Sequence, residues 1–71
     1  MIHLIKGVGS KTEKIQIEEN FTPNKDTVII SCSYIDEEGL YNEETVSLDV
    51  DKLHSFIGTL LHVQAKMKNR I

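Results

Sequence analysis

The alternation of polar and apolar residues predicts that the first two thirds of the chain form a β-sheet. Residues 14–18 alternate strictly, as a half-buried strand does. Residues 27–35 are rich in β-branched side chains and carry no charge, which is typical of a central strand. Residues 40–48 return beside them, whereas residues 2–6 alternate too weakly to decide whether a further strand exists. The pattern therefore predicts an antiparallel sheet of three or four strands.

A tight turn is predicted between the two longest strands, and it determines how they pair. A three-residue loop that ends at Gly39 places this glycine in the left-handed conformation of a type I turn followed by a bulge. This register sets apolar residues opposite each other, whereas a shift by one residue would oppose Val28 to Ser47. The pairs on that face are Val28–Leu48, Ile30–Val46, Cys32–Glu44 and Tyr34–Asn42. We therefore expect Cys32 to point into the core and to react slowly with thiol reagents.

The last third of the chain is predicted to form a helix. Asp49 is a suitable N-cap, and Asp51 lies in the first turn, where a negative charge is favoured. At about 100° per residue, one wide stripe of this helix is apolar, and we expect it to cover the sheet face that contains Ile30. The stripe consists of Val50, Leu53, Phe56, Ile57, Leu60, Leu61, Gln64, Met67 and Ile71. Gly58 and His62 fall on the opposite side.

These elements combine into one α+β domain of 71 residues, with the order β-β-β-α and the helix packed on one face of the sheet. No apolar run is long enough to span a bilayer, and the single cysteine cannot form an internal disulfide. With no recognisable signal peptide, the sequence is typical of a cytoplasmic protein. Because so short a chain has a small core, self-association is a reasonable expectation.

Charge is distributed unevenly along the chain. Residues 26–51 contain eight acidic residues and no lysine or arginine, whereas residues 52–71 contain four basic residues and no acid. The ordinary explanation is a solvated hairpin followed by a helix whose basic end complements the helix dipole. The alternative is an acidic surface that binds a basic partner. Its residues would be those around the predicted turn, namely Asp36, Glu37, Glu38, Glu43 and Glu44.

Residue types that carry catalysis or bind cofactors are not arranged productively. The run from Gly7 to Thr12 approximates a phosphate-binding loop, but Ser10 separates its last glycine from the lysine. His54 and His62 lie about 80° apart around the helix and about 12 Å apart along it, so they cannot share a metal ion. The net charge of −3 and the lack of tryptophan disfavour nucleic-acid binding. We expect neither an enzyme nor a cofactor or metal site.

A sheet that is covered on one side leaves its other face open, and that face is the second candidate surface. With the register above it contains Ile29, Ile35 and Tyr41. Two functions are consistent with these features. The first is a small regulatory or inhibitory accessory protein, of the kind that phages and mobile elements encode, which binds a protein partner through the acidic hairpin and the open face. The second is a homo-oligomer, such as a homodimer, or a small subunit of a larger assembly, in which the open face is buried.

Overall fold

The structure, a computed structural model, describes residues 1–70 and consists of a four-stranded antiparallel sheet followed by one helix. The strands are β1 (Ile2–Lys6), β2 (Lys14–Phe21), β3 (Asp26–Ile35) and β4 (Tyr41–Leu48), and the helix is α1 (Val50–Lys68). The strands lie side by side in sequence order. The predicted α+β class is confirmed, with four strands. Ile71, which the periodicity assigned to the helical stripe, lies outside the described residues.

The predicted pairing of β3 with β4 is confirmed residue by residue. Val28 lies opposite Leu48, and the register continues without a slip to the pair formed by Ile35 and Tyr41. Gly39 has a φ of 83°, the left-handed conformation that the turn requires and that glycine adopts without steric cost. Turn chemistry and the match of apolar residues therefore specify the same hairpin.

The turn between β2 and β3 is tighter than the sequence suggests, so both strands are longer than predicted. The Thr22 N–H donates to the Lys25 carbonyl at 3.0 Å, and the Lys25 N–H donates to the Thr22 hydroxyl oxygen at 3.0 Å. Pro23 lies inside this turn, where its missing N–H is not needed. Pairing therefore extends to Phe21 and Asp26.

The loop between β1 and β2 is anchored to the carboxyl end of β3. The Thr12 hydroxyl donates to the Ile35 carbonyl at 3.2 Å and accepts from the Ile35 N–H at 2.9 Å. Within the loop, the Gly7 N–H donates to the Glu13 carbonyl at 2.8 Å. The Glu13 carboxylate lies where a Cβ at Gly7 would have to be. The glycine-rich run from Gly7 to Thr12 thus closes β1 against β2.

The two faces of the sheet differ in polarity. Cross-strand partners point to the same side, so the register assigns each strand residue to a face. One face, here called the Cys32 face, is mainly apolar: Ile5, Ile15, Ile17, Phe21, Val28, Ile30, Cys32, Tyr34, Val46 and Leu48, together with His3, Glu19, Asp26, Asn42 and Glu44. The other, the Ser31 face, is mainly polar, and its apolar members are Ile2, Leu4, Ile29, Ile35 and Tyr41. The Cys32 face is therefore the one that needs a cover.

Helix α1 begins as predicted but leaves most of this face open. The Lys52 N–H donates to the Asp49 carboxylate at 2.9 Å, which confirms Asp49 as the N-cap. The helix contacts β3 and β4 but neither β1 nor β2, and none of its residues is buried. Ile30, 7% exposed, is the one buried apolar residue among residues 1–70, whereas Val46 and Leu60 are 52% and 51% exposed. The helix therefore touches the sheet without burying its apolar stripe.

Cys32 is exposed, so the prediction that it points into a core is wrong. The strand register is the predicted one, and Cys32 does lie on the face that contains Ile30. What failed is the expectation that the helix would cover this part of the sheet, because the helix does not shield Cys32 from solvent. A correct register therefore did not suffice to predict burial.

Candidate protein-binding surface

The acidic hairpin is organised by Asp36 at the start of its turn. One carboxylate oxygen accepts hydrogen bonds from the N–H groups of Glu38 at 3.0 Å and Leu40 at 2.9 Å. The Asn42 amide donates to the other oxygen at 3.3 Å. The bond from Leu40 is the main cause that lowers the pKa of Asp36, since hydrogen bonds to a carboxylate favour its charged form. Asp36 therefore stabilises the turn through these hydrogen bonds. The carboxylates of the hairpin that remain available to bind a partner are those of the glutamates.

The four glutamates of the hairpin do not form one surface. All four are exposed, and Glu37 and Glu38 lie in the turn itself. Glu43 and Glu44 are consecutive on β4, so Glu43 lies on the Ser31 face and Glu44 on the Cys32 face. The structure therefore splits the predicted acidic surface around the edge of the sheet.

Two of the three residues predicted for the open apolar face are brought together. Ile35 and Tyr41 are cross-strand partners at the hairpin end of the sheet, and both are exposed. The Tyr41 hydroxyl donates to the Glu43 carboxylate, and this bond raises the pKa of the tyrosine because it favours the neutral phenol. Ile29 is half-buried and lies further along β3, with two serines of the same face in between. The predicted patch is therefore smaller than expected.

Further exposed apolar residues, whose exposure the sequence reasoning missed, lie on the Cys32 face and along the helix. Together we call them the open apolar surface. Its exposed members on the sheet are Ile5, Ile15, Phe21, Tyr34 and Val46, and those on the helix are Val50, Phe56, Ile57, Leu60, Leu61 and Met67. An open cavity of ≈ 660 Å³ at the hairpin end is lined from both faces, by Ile15, Cys32 and Tyr34 of the Cys32 face and by Ser33, Tyr41 and Glu43 of the Ser31 face, among others. The sequence feature that could have predicted this exposed surface is the short length of the chain, because it leaves only one helix to cover four strands.

Ion pairs within the chain are scarce although it contains eight lysines and arginines and eleven acidic residues. Among residues 1–70 the one such contact joins the His3 ring to the Glu19 carboxylate at 3.0 Å, on the Cys32 face, and it is an ion pair only when His3 is protonated. Lys66 and Lys68 in the last turn of the helix are exposed, and neither pairs with an acid in the described part of the chain. The acidic hairpin and the basic helix end are therefore both available to other molecules.

The described residues offer no metal-binding cluster, since no three histidine, cysteine, aspartate or glutamate side chains of residues 1–70 are placed to hold an ion. Over the same residues, no helix combines the length and apolar character needed to cross a membrane. No family model, curated protein or solved structure matches the chain. The shape and chemistry of its surface are therefore the guide to its function.

Proposed function

We propose that this protein is a non-enzymatic, self-associating binding module in which two copies cover each other's open apolar surface. Its accessible area carries the proposal. The folded chain exposes 6328 Å². A compact monomer of its mass, 8.1 kDa, exposes about 4,500 Å². The excess of about 1,800 Å² per chain exceeds the roughly 800 Å² that each partner buries in a standard protein interface.

The shape of the chain supports the same conclusion. Its Cα radius of gyration is 14.7 Å, whereas a compact domain of this length has a radius of about 11 Å. Its extents are 42 × 37 × 16 Å, and the smallest of these, the thickness, is about that of one sheet and one helix. A second copy placed over the Cys32 face would supply the missing layer.

The composition of the exposed surface explains why such an association is favourable. Monomeric proteins rarely expose contiguous apolar patches larger than a few hundred Å². Here the helical stripe and the Cys32 face are both apolar and both at least partly exposed. Each Å² of apolar area removed from water contributes about 25 cal/mol, so covering both surfaces offsets the entropy lost on association.

Sedimentation equilibrium of the purified chain tests the proposal. We expect a mass of twice 8.1 kDa at micromolar concentrations, and a monomer after Leu60→Lys, which places a charge in the apolar stripe. His62→Lys adds the same charge to the opposite side of the same helix and is expected to leave the dimer intact. A wild-type chain that stays monomeric, or two variants that associate equally, would contradict the proposal.

The sheet face used by the dimer can be identified with a second pair of variants. Val46→Lys charges the Cys32 face, and Ile35→Lys charges the Ser31 face. Both residues are about half exposed in the single chain, so neither change should unfold it. We expect Val46→Lys to dissociate the dimer and Ile35→Lys to be tolerated. The reverse result would place the interface on the patch of Ile35 and Tyr41.

A regulatory role towards a different, basic protein is the second candidate, favoured by the exposed glutamates of the hairpin that lack a basic partner among residues 1–70. Capture from the native cell would compare the wild-type chain with a variant in which Glu37, Glu38, Glu43 and Glu44 are replaced by glutamine. A partner retained by the wild type at about 0.05 M salt, and lost at about 0.5 M salt or with the variant, would support this role. Retention that is indifferent to both would exclude the hairpin as its binding site.

A further inference from the structure

We infer that an ion pair across the interface sets the position of the second copy relative to the first. In it, Lys68 at the end of each α1 helix pairs with Glu44 of the partner. The inference rests on the proposed self-association and goes beyond it, because it specifies which parts of the two copies meet. It follows from the polarity of the surface that the second copy covers.

Glu44 is the one hairpin glutamate on the Cys32 face. It lies directly across from Cys32, in a face whose other members are mostly apolar. Two other acids lie on that face: Glu19 is 3.0 Å from the ring of His3, and Asp26 lies at the far end of β3, six residues before Cys32. Glu44 has no ion-pair partner among residues 1–70. Covering the face would remove water from the Glu44 carboxylate, and a desolvated charge is costly unless an opposite charge meets it.

The helix that provides the apolar stripe also provides a positively charged side chain that can pair with Glu44. Lys68 follows Leu61 by seven residues, so it continues the same line along α1 at the edge of the stripe. It is exposed and has no acidic partner among the described residues. Lys66, in the same turn, projects about 160° away from Lys68 around the helix and is directed away from the stripe.

Symmetry makes this pairing available twice in a dimer. In a two-fold assembly each contact between unlike surfaces occurs in both directions, so Lys68 of each copy meets Glu44 of the other. Contacts between like segments would instead oppose glutamates to glutamates or lysines to lysines, which repel. Charge complementarity between the helix end and β4 therefore favours a second copy over an unrelated apolar occupant.

Charge reversal tests this arrangement through the dimer dissociation constant, measured by sedimentation at about 0.05 and 0.5 M salt. We expect Glu44→Lys and Lys68→Glu each to weaken the homodimer at low salt by at least about tenfold. Glu43→Lys is the matched control, because Glu43 is the neighbouring residue on the opposite face. Its effect is expected to be less than about threefold.

Mixing the two reversed chains provides a result that loss of folding cannot imitate. Glu44→Lys and Lys68→Glu chains repel their own copies but complement each other at both contacts, so an equimolar mixture should form a dimer of wild-type strength. A mixture no tighter than the separate variants, or a Glu43→Lys effect equal to that of Glu44→Lys, would overturn the ion pair while leaving self-association intact. A wild-type chain that is monomeric at both salt concentrations would overturn the proposed function as well.

Discussion

Asp36 stabilises the turn between β3 and β4 through its charge as well as its shape. Its carboxylate accepts two backbone N–H groups and one side-chain amide, which lowers its pKa below the ordinary value. Because the folded pKa is lower than the unfolded one, the ionised group stabilises the fold above the unfolded pKa. That contribution is lost as the pH falls through the folded pKa.

Asp36→Asn is therefore expected to destabilise the chain more at about pH 7 than at about pH 2.5, because a larger fraction of the wild-type carboxylate is protonated in acid. Urea unfolding at the two pH values measures the difference. Glu37→Gln is the control, since it removes a neighbouring charge that takes no part in these hydrogen bonds. An Asp36→Asn effect that is equally large in acid would show that charge does not contribute.

The reactivity of Cys32 depends on what covers its face of the sheet. The thiol is exposed in the single chain, and the proposed dimer would bury it. We expect its rate of reaction with an aromatic disulfide reagent to fall as protein concentration rises from about 1 to 200 µM. The Leu60→Lys chain should react at the fast rate throughout. A wild-type rate that does not change with concentration would mean that the second copy leaves the Cys32 face open.

At the scale of elements, the sheet is better determined than the position of the helix. Each strand pairs with its neighbour in sequence, and the loops add side-chain bonds that close the pairs. The helix has a defined start at Asp49 but contacts only the last two strands. Loop bonds should therefore affect the stability of the single chain, whereas substitutions on the helix should act mainly through helix propensity or association.

Thr12→Val tests the anchor between the β1–β2 loop and β3. Valine keeps the shape of the side chain but removes both hydrogen bonds to Ile35, so the free energy of unfolding should fall by about 1 kcal/mol. Ser10→Ala removes only a hydroxyl contact to Thr12 at 3.2 Å and should have a smaller effect. Denaturant unfolding compares the two, and equal effects would show that the Ile35 bonds do not stabilise the loop.

Gly58→Ala tests whether the side of α1 opposite its apolar stripe contacts anything, either in its own chain or in the second copy. Apart from its chain neighbours and the backbone of its own helix, no heavy atom lies within 4 Å of the position that a Cβ would occupy, and an interior helical glycine costs about 1 kcal/mol relative to alanine. We expect the substitution to raise the free energy of unfolding by roughly 0.5–1 kcal/mol and to leave the dimer unchanged. A weaker dimer would reveal a close approach of the second copy at Gly58.

At the scale of the whole molecule, the single chain is a thin layered structure with one buried apolar residue among residues 1–70. Its stability should therefore be coupled to association. Because dimer formation favours the folded state by mass action, the melting temperature should rise with protein concentration.

Leu60→Ala tests whether Leu60 is buried by association or within the core of its own chain. Leu60 is 51% exposed in the single chain, so its truncation should cost much less than the roughly 2–5 kcal/mol of a buried leucine when the protein is dilute. At high concentration the same variant should melt well below the wild type. A melting temperature independent of concentration, with a large loss at every concentration, would indicate that Leu60 packs within its own chain.

The amino-acid sequence by itself determined three of the four strands, the hairpin register, the left-handed Gly39 and the helix cap at Asp49. These features depend on interactions between residues close in the chain or directly opposite in one hairpin, so periodicity and turn chemistry suffice to predict them. The longer β2–β3 pairing and the role of Asp36 in the turn depend on hydrogen bonds that a pattern of apolar positions does not reveal.

Only the tertiary structure decided what covers the Cys32 face and how the candidate surfaces are divided. An apolar stripe indicates that a surface favours burial, but the hydrophobic effect has no direction and does not specify which surface buries it. The exposure of Cys32, the separation of Glu43 from Glu44 and the open helical stripe all follow from the position of one helix relative to four strands. That position is set by packing between distant parts of the chain, which the local pattern does not contain.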